Sequence, residues 1–247
     1  MTLPRITIVG AGLSESTILI AADGVHSQVR KTLAPKTVPN VLPYVVFNGS
    51  RTVSLEDYKI RIAPHMQGST VIHCRHGSTL FQLSINNIAP PQAVLGYTYS
   101  RPARANDALH KPDRPLSGAE NIPEDVYAEI EKFGELKPPF GEIFDSEKVR
   151  QDRILHWLMR SILLPLDESQ DLAKHGVLLI GDAAHAMPIL GGEGANIAIR
   201  DGFELADELA HEQSALGNEQ SHGIWKQAVK KSEKRLADMH GSILASL

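Results

Sequence analysis

The densest chemistry in the chain lies between residues 181 and 201. The run Gly181-Asp182-Ala183-Ala184-His185-Ala186-Met187-Pro188-Ile189-Leu190-Gly191-Gly192-Glu193-Gly194-Ala195-Asn196 leads into Ile197, Ala198 and Asp201. It reads as an acid at the carboxyl end of an apolar strand, then a glycine-rich loop that opens a helix. An acid in that place accepts hydrogen bonds from ligand hydroxyls. Glycines 191, 192 and 194 let backbone amides approach a flat ligand, and the positive end of the following helix stabilises negative charge on it. Together these features suit a large anionic cofactor. A second constellation, Ala22-Asp23-Gly24-Val25-His26-Ser27-Gln28-Val29-Arg30, follows the apolar run Thr17 to Ala21. Taken alone, its Asp-Gly is a turn signal and its Ser27 and Arg30 are surface polar residues. A third, Gly10-Ala11-Gly12, ends the β-branched run Arg5 to Val9, but Glu15 stands where a dinucleotide fingerprint asks for its third glycine.

These groups need a frame. Arg5 to Val9, Thr17 to Ala22 and Gly176 to Ile180 predict buried strands of an α/β sheet, with turn chemistry at their carboxyl ends. Only seven residues separate Val9 from Thr17. A parallel neighbour normally takes a crossover of about a dozen or more. The first strand is therefore expected to run antiparallel, to stay outside the sheet, or to mark an internal shortening after Leu13. Between Tyr44 and Arg101 the texture is that of an antiparallel sheet inserted as a second domain. Its β-like runs are Tyr44 to Phe47, Ser69 to Cys74, Thr79 to Ile85 and Val94 to Tyr99, separated by turn signals at Asn48-Gly49, His76-Gly77 and Pro90-Pro91. Residues Pro102 to Pro115 read as a loop, and Ile122 to Phe133 as a helix opened by Pro123 and two acids. Ile197, Phe203, Ala206 and Leu209 predict one broad apolar helix face. After a polar break from His211 to Ser221, Trp225, Ala228, Val229, Ser232, Leu236, Met239 and Ile243 trace the packing stripe of a terminal helix, with Lys226, Lys230, Lys231, Lys234 and Arg235 on its solvated side.

The ordered string Gly-Asp-Ala-Ala-His, a proline, and Gly-x-Gly-Ala-Asn before Asp-Gly-x-x-Leu-Ala resembles the flavin-binding signature of class A FAD-dependent monooxygenases, the aromatic hydroxylases of the para-hydroxybenzoate and salicylate hydroxylase type. Asp23-Gly24 with Ser27 and Arg30 resembles the family's Asp-Gly motif, which serves both FAD and the pyridine nucleotide. Trp225 to Leu236 is a softer match to its terminal helix. The resemblance implies an α/β fold: an incomplete Rossmann-like FAD-binding domain (residues 1–34 and 161–247), an inserted antiparallel β-sheet substrate domain (35–160) and a C-terminal helix. It implies FAD as cofactor and NAD(P)H as co-substrate, with hydroxylation of a small aromatic or polyketide-like molecule in secondary metabolism or aromatic catabolism. Asp182 would hold the ribityl chain, and amides around Gly194, Ala195 and Asn196 the pyrimidine edge of the ring. Pro188 would lie against the flavin, with Gly191 and Gly192 in the loop. Asp23 and Arg30 would hold the Asp-Gly loop. Gly10 and Gly12 are what remains of the ADP-binding turn, so FAD affinity should be poor. The other reading is a flavin-free descendant, acting as a binding module or a cofactor-independent catalyst.

Composition bounds the alternatives. The chain has 247 residues, with 25 Lys and Arg against 29 Asp and Glu, a formal charge of −4. That offers no basic field for phosphate backbones or anionic lipid, so nucleic acid is not an expected partner. The one cysteine, Cys74, cannot pair within the chain and reads as a core residue of a protein in a reducing compartment. No apolar run approaches the roughly 20 residues that span a bilayer, and the first residues lack a signal peptide's charged region. A soluble cytoplasmic protein without stable membrane insertion is expected. His65, His73 and His76 read as solvated or core histidines, since a strand puts 73 and 76 on opposite faces. Asn48-Gly49-Ser50 is a glycosylation sequon without meaning in a cytosolic chain, and Ser14 and Ser16 lack a hydrolase elbow.

Overall fold

The computed structural model describes residues 6–9, 18–134, 136–191 and 194–210. Gly10, Gly12 and Gly192, together with the terminal helix expected from Trp225, lie outside the described residues. The chain opens with strands β1 (Ile6–Val9) and β2 (Ile18–Ala21), a short helix α1 (Gln28–Leu33) and the long strand β3 (Asn40–Ser54). Helix α2 (Leu55–Asp57), a π-helical turn (Tyr58–Ile62) and α3 (Ala63–Met66) lead to β4 (Val71–His76), β5 (Thr79–Ala89) and β6 (Gln92–Pro102). Helices α4 (Glu124–Glu131), α5 (Phe140–Ile143) and α6 (Ser146–Gln151) precede β7 (Arg153–Ser161). Then come α7 (Leu166–Lys174), β8 (Val177–Leu179) and α8 (Gly194–Ala210). The fold divides into two units, one made by the chain up to Leu42 and again from Arg160, the other by Pro43–Met159.

The first unit holds a parallel sheet in the order β1-β2-β8. Ile20, Ala21, Leu178 and Leu179 form its buried centre, packed with Leu164, Leu172 and Leu205. The pairing of β1 corrects the expectation drawn from its short connection. It is neither antiparallel nor outside the sheet: Ile6 lies opposite Ile18 and Val9 opposite Ala21, in parallel. The reason is length. A four-residue strand needs a return of only about 13 Å, whereas the residues from 10 to 17 reach roughly 27 Å when extended. The chain can turn back without a crossover helix. Such a helix is what a longer strand would require.

The second unit is built on a five-stranded sheet in the order β4-β5-β6-β3-β7. Its hairpins turn at Gly77-Ser78 and at Pro90-Pro91, as the turn signals predict. Asn48-Gly49, also read as a turn, instead lies in the middle of β3, paired through Asn48 with Thr98 and through Gly49 with Tyr97. Glycine is needed there because a Cβ would sit 2.2 Å from Cζ of Tyr97. The glycine serves a close approach within the sheet. The core face carries Val45, Phe47, Phe81, Leu83, Tyr97 and Tyr99, covered by Val126, Tyr127 and Ile130 of α4 and by Phe140, Ile143 and Phe144. Phe81 stands at the centre, edge-on to Tyr99, Phe133 and Phe144. Two similar buried networks tie the sheet to its cover. Tyr97 donates to Asp152 at 2.7 Å, which also takes Arg51; Tyr99 donates to Glu129 at 2.6 Å, which also takes Arg101. Burial and these carboxylates both push the two phenols well above the usual tyrosine range.

Candidate functional site

Because β2 and β8 are parallel neighbours, their carboxyl ends emerge at the same edge, the place where open α/β sheets receive ligands. Beyond that edge lies a cavity of about 530 Å³. Ala22 and Gly24 line it after β2, Ile180 to Asp182 after β8, Met187 to Ile189 on an apolar side, and Gly194, Ala195 and Ala198 at the start of α8. The glycines have distinct reasons. Gly24 and Gly181 take φ of 78° and 57°, the left-handed region that disfavours a side chain. At Gly194 a Cβ would meet no atom within 4 Å, so the helix opens onto free space. Among the described residues, Asp182 is the one charged group in the lining. Burial of its surroundings raises its carboxyl pKa, against the opposing pull of His185.

The walls of this cavity are held from behind. Asp201, in the body of α8 and 1% exposed, accepts the Gly181 N–H at 2.7 Å and meets Nε2 of His185 at 2.5 Å through the same oxygen. One carboxylate thus pins both ends of the turn that carries Asp182 to the helix that forms the opposite wall. Arg30 is fully buried. Its guanidinium donates to the carbonyls of Ala183 at 2.6 Å and Val25, and at longer range to that of Asp182. Burial lowers its pKa while Asp23 opposes the shift. Asp23 accepts the Gln28 N–H at 2.8 Å, and Ser27 caps α1 by accepting the Arg30 N–H. Burial works to raise the Asp23 carboxyl, but its hydrogen bonds with Ser27 and with backbone amides prevail and hold it below its ordinary pKa.

Of the residues singled out in the sequence, Asp182, Pro188, Gly194 and Ala195 line the cavity together with Gly24. Gly191 ends the 3-10 turn that starts at Ile189, and Asn196 lies exposed in the first turn of α8, outside the lining. Asp23 and Arg30 stand behind the wall, fastening loops. The sequence reading missed the His185–Asp201 pair. Its only local signal is an acid one turn before the buried Leu205 on the inward side of α8. The expected helix face is corrected in part: Ile197 packs against the core, but Phe203 is 74% exposed and Ala206 is exposed, while Asp201 and Leu205 are buried.

Comparisons with known proteins agree with this arrangement. Residues 162–236 match the family described as FAD binding domain. The chain is 33% identical over 238 residues to the FAD-dependent monooxygenase nscC of Trichophyton tonsurans, covering 92% of itself and 58% of that protein. It is 35% identical over 240 residues to the FAD-dependent monooxygenase aptC of Emericella nidulans, covering 92% of itself and 57% of the relative. It therefore spans little more than half the length of the relatives it matches. In fold it is similar to HpxO of Klebsiella pneumoniae, solved with FAD and uric acid, at a TM-score of 0.63, 17% identity and 96% and 55% coverage of the two chains. For 2,6-dihydroxypyridine-3-hydroxylase of Arthrobacter nicotinovorans the TM-score is 0.61, at 19% identity, with 93% and 59% coverage. A strand-end cavity closed by a glycine-opened helix, reached through Gly-Asp and Asp-Gly turns and shared in sequence with these monooxygenases, places the chain in the class A FAD-dependent monooxygenase family.

Proposed function

We propose that the chain forms the flavin-holding and substrate-holding parts of a monooxygenase that hydroxylates a small aromatic or polyketide-like molecule of secondary metabolism. The observation that carries this is the cavity beyond β2 and β8, with an apolar side of Met187, Pro188 and Ile189, one carboxylate among the described lining residues and a helix start. Those features match an isoalloxazine ring with a polyol tail. Asp182 would accept hydrogen bonds from ribityl hydroxyls, Pro188 and Met187 would bear on the ring, and the amides at the start of α8, near Ala195 and Asn196, would favour an anionic ring edge. Bound flavin, reduced by NAD(P)H, would supply the oxygen activation that side chains lack. The remaining work of the protein is position, dryness and field.

The substrate floor in this reading is the face of the second unit's sheet opposite its aromatic core. Side chains directly paired across an antiparallel sheet share a face. The register therefore groups Val46 with Ser100 and Leu80, and Asn48 with Thr98 and Gln82. Asn48 donates to Thr98 at 2.9 Å, which leaves a short polar row suited to ring substituents. A reducing, cytoplasmic setting suits the free Cys74, and no helix among the described residues is long and apolar enough to cross a membrane.

The eight-residue link from β1 to β2 favours the flavin-free reading, because it leaves little for the far end of FAD. A visible spectrum of the purified chain, recorded after gel filtration with added flavin, separates the two. Retained flavin absorbance supports the monooxygenase reading; absence of flavin at saturating ligand rejects it.

A further inference from the structure

The cavity accounts for one end of FAD. In a dinucleotide fold the diphosphate rests on the N-terminus of the helix behind the first strand, and an acid further along takes the ribose. Here β1 is followed directly in the sheet by β2, in parallel and in register from Ile6 and Ile18 to Val9 and Ala21. Eight residues link the two strands, fewer than the dozen or more that a crossover carrying a helix normally takes. The linking sequence, Gly10-Ala11-Gly12-Leu13-Ser14-Glu15-Ser16-Thr17, also carries a carboxylate in place of the glycine that brings helix and strand together. On its other side β2 is flanked by β8, whose end opens into the cavity described above. Among the described residues Asp182 is the one charged group in that cavity's lining, and it suits hydroxyls rather than a diphosphate.

We propose that this chain recognises flavin by the ring and ribityl chain alone, so that FMN, which lacks the adenylyl half, binds as tightly as FAD. The inference rests on the flavin reading above and specifies the cofactor that it takes. An adenosine diphosphate end without partners among the described residues adds rotors to be ordered and few compensating contacts.

Titration calorimetry of the full chain with FMN and with FAD tests this. The two dissociation constants should agree within about threefold. FAD bound about tenfold or more tightly than FMN would overturn the proposal while leaving the flavin reading intact. Failure of both to bind would overturn the proposal and that reading together. Gly194→Leu, which puts a side chain into the open space at the start of α8, should weaken both ligands about tenfold or more without lowering the melting temperature of the ligand-free protein. Should that variant fold poorly, Asp182→Ala probes the opposite wall in the same way. Unchanged FMN binding in a folded variant of both kinds would put the ligand outside this cavity and sink the proposal.

Discussion

One oxygen of Asp201 takes both the Gly181 amide and the His185 imidazole, and both partners are buried. Asp201→Ala would strand a backbone donor and an imidazole away from water. The expected loss is about 3 kcal/mol of stability, read as a lower urea midpoint. Asp201→Asn keeps an acceptor for the amide and should lose about 1 kcal/mol. Equal losses in the two variants would show that the acceptor is not what matters. Arg30 follows the same logic: its guanidinium reaches carbonyls 152 and 153 residues away in the chain, and so fastens one motif to the other. The types of these residues were legible in the sequence, and so were the place of Asp182 at the end of its strand and the hold of Arg30 on its own loop, which are chain-local. The reach of Arg30 to the second motif and the duty of Asp201 were not, because each is defined by a partner that only folding supplies.

At the scale of elements, β3 shows how a turn signal is overridden. Asn48-Gly49 has the composition of a tight hairpin, yet it sits inside a strand of 15 residues. What decides is the partner strand, where the Tyr97 ring lies over Gly49 and its hydroxyl is held by Asp152. Gly49→Ala would drive a methyl group into that ring and should cost about 2 kcal/mol or more, measured as a fall in melting temperature. Tyr97→Ala is costly in itself, but it should abolish most of the further penalty of Gly49→Ala in a double-mutant cycle. Additive losses would mean that the clash is not the cause. α8 teaches a related lesson. Its apolar residues alone favour a face with Phe203, whereas the buried side carries the polar contact of Asp201 beside Leu205.

For the molecule as a whole, pH dependence exposes what folding has buried. His156 is 1% exposed, stacked on Phe47 at 4.7 Å, and its Nε2 has no hydrogen-bond partner among the described residues. Burial, followed by the charges of Arg114, Lys111 and His110, lowers its pKa from 6.5 to about 4. A depressed histidine favours the fold while neutral, so its contribution is complete above the unfolded pKa and is lost as pH falls through the folded one. Stability should decline between about pH 6.5 and 4, by roughly 3 kcal/mol from this group. His156→Phe should flatten that segment of the curve in urea titrations at several pH values; an unchanged slope would show that His156 is not its source. The carboxylates of Asp107 and Glu129 add their losses at lower pH. Hydrogen bonds from Arg101 lead in depressing Asp107, and for Glu129 the bonds from Arg101 and Tyr99 outweigh the effect of burial. Asp182 acts in the opposite sense: its raised pKa means that its ionised form costs stability above the ordinary carboxylate range, a cost relieved on acidification. By itself, the sequence determined the strand-and-turn chemistry of the Gly-Asp and Asp-Gly motifs, the β-rich second unit and the family they imply, since these are written in short runs of residue types. Tertiary structure alone decided that β1 lies parallel to β2, which side chains share each face of the second sheet, and which acid lines the cavity while another holds it. The reason is that register, pairing direction and burial are set by partners distant in the chain, and a shift of one residue exchanges the two faces of a strand.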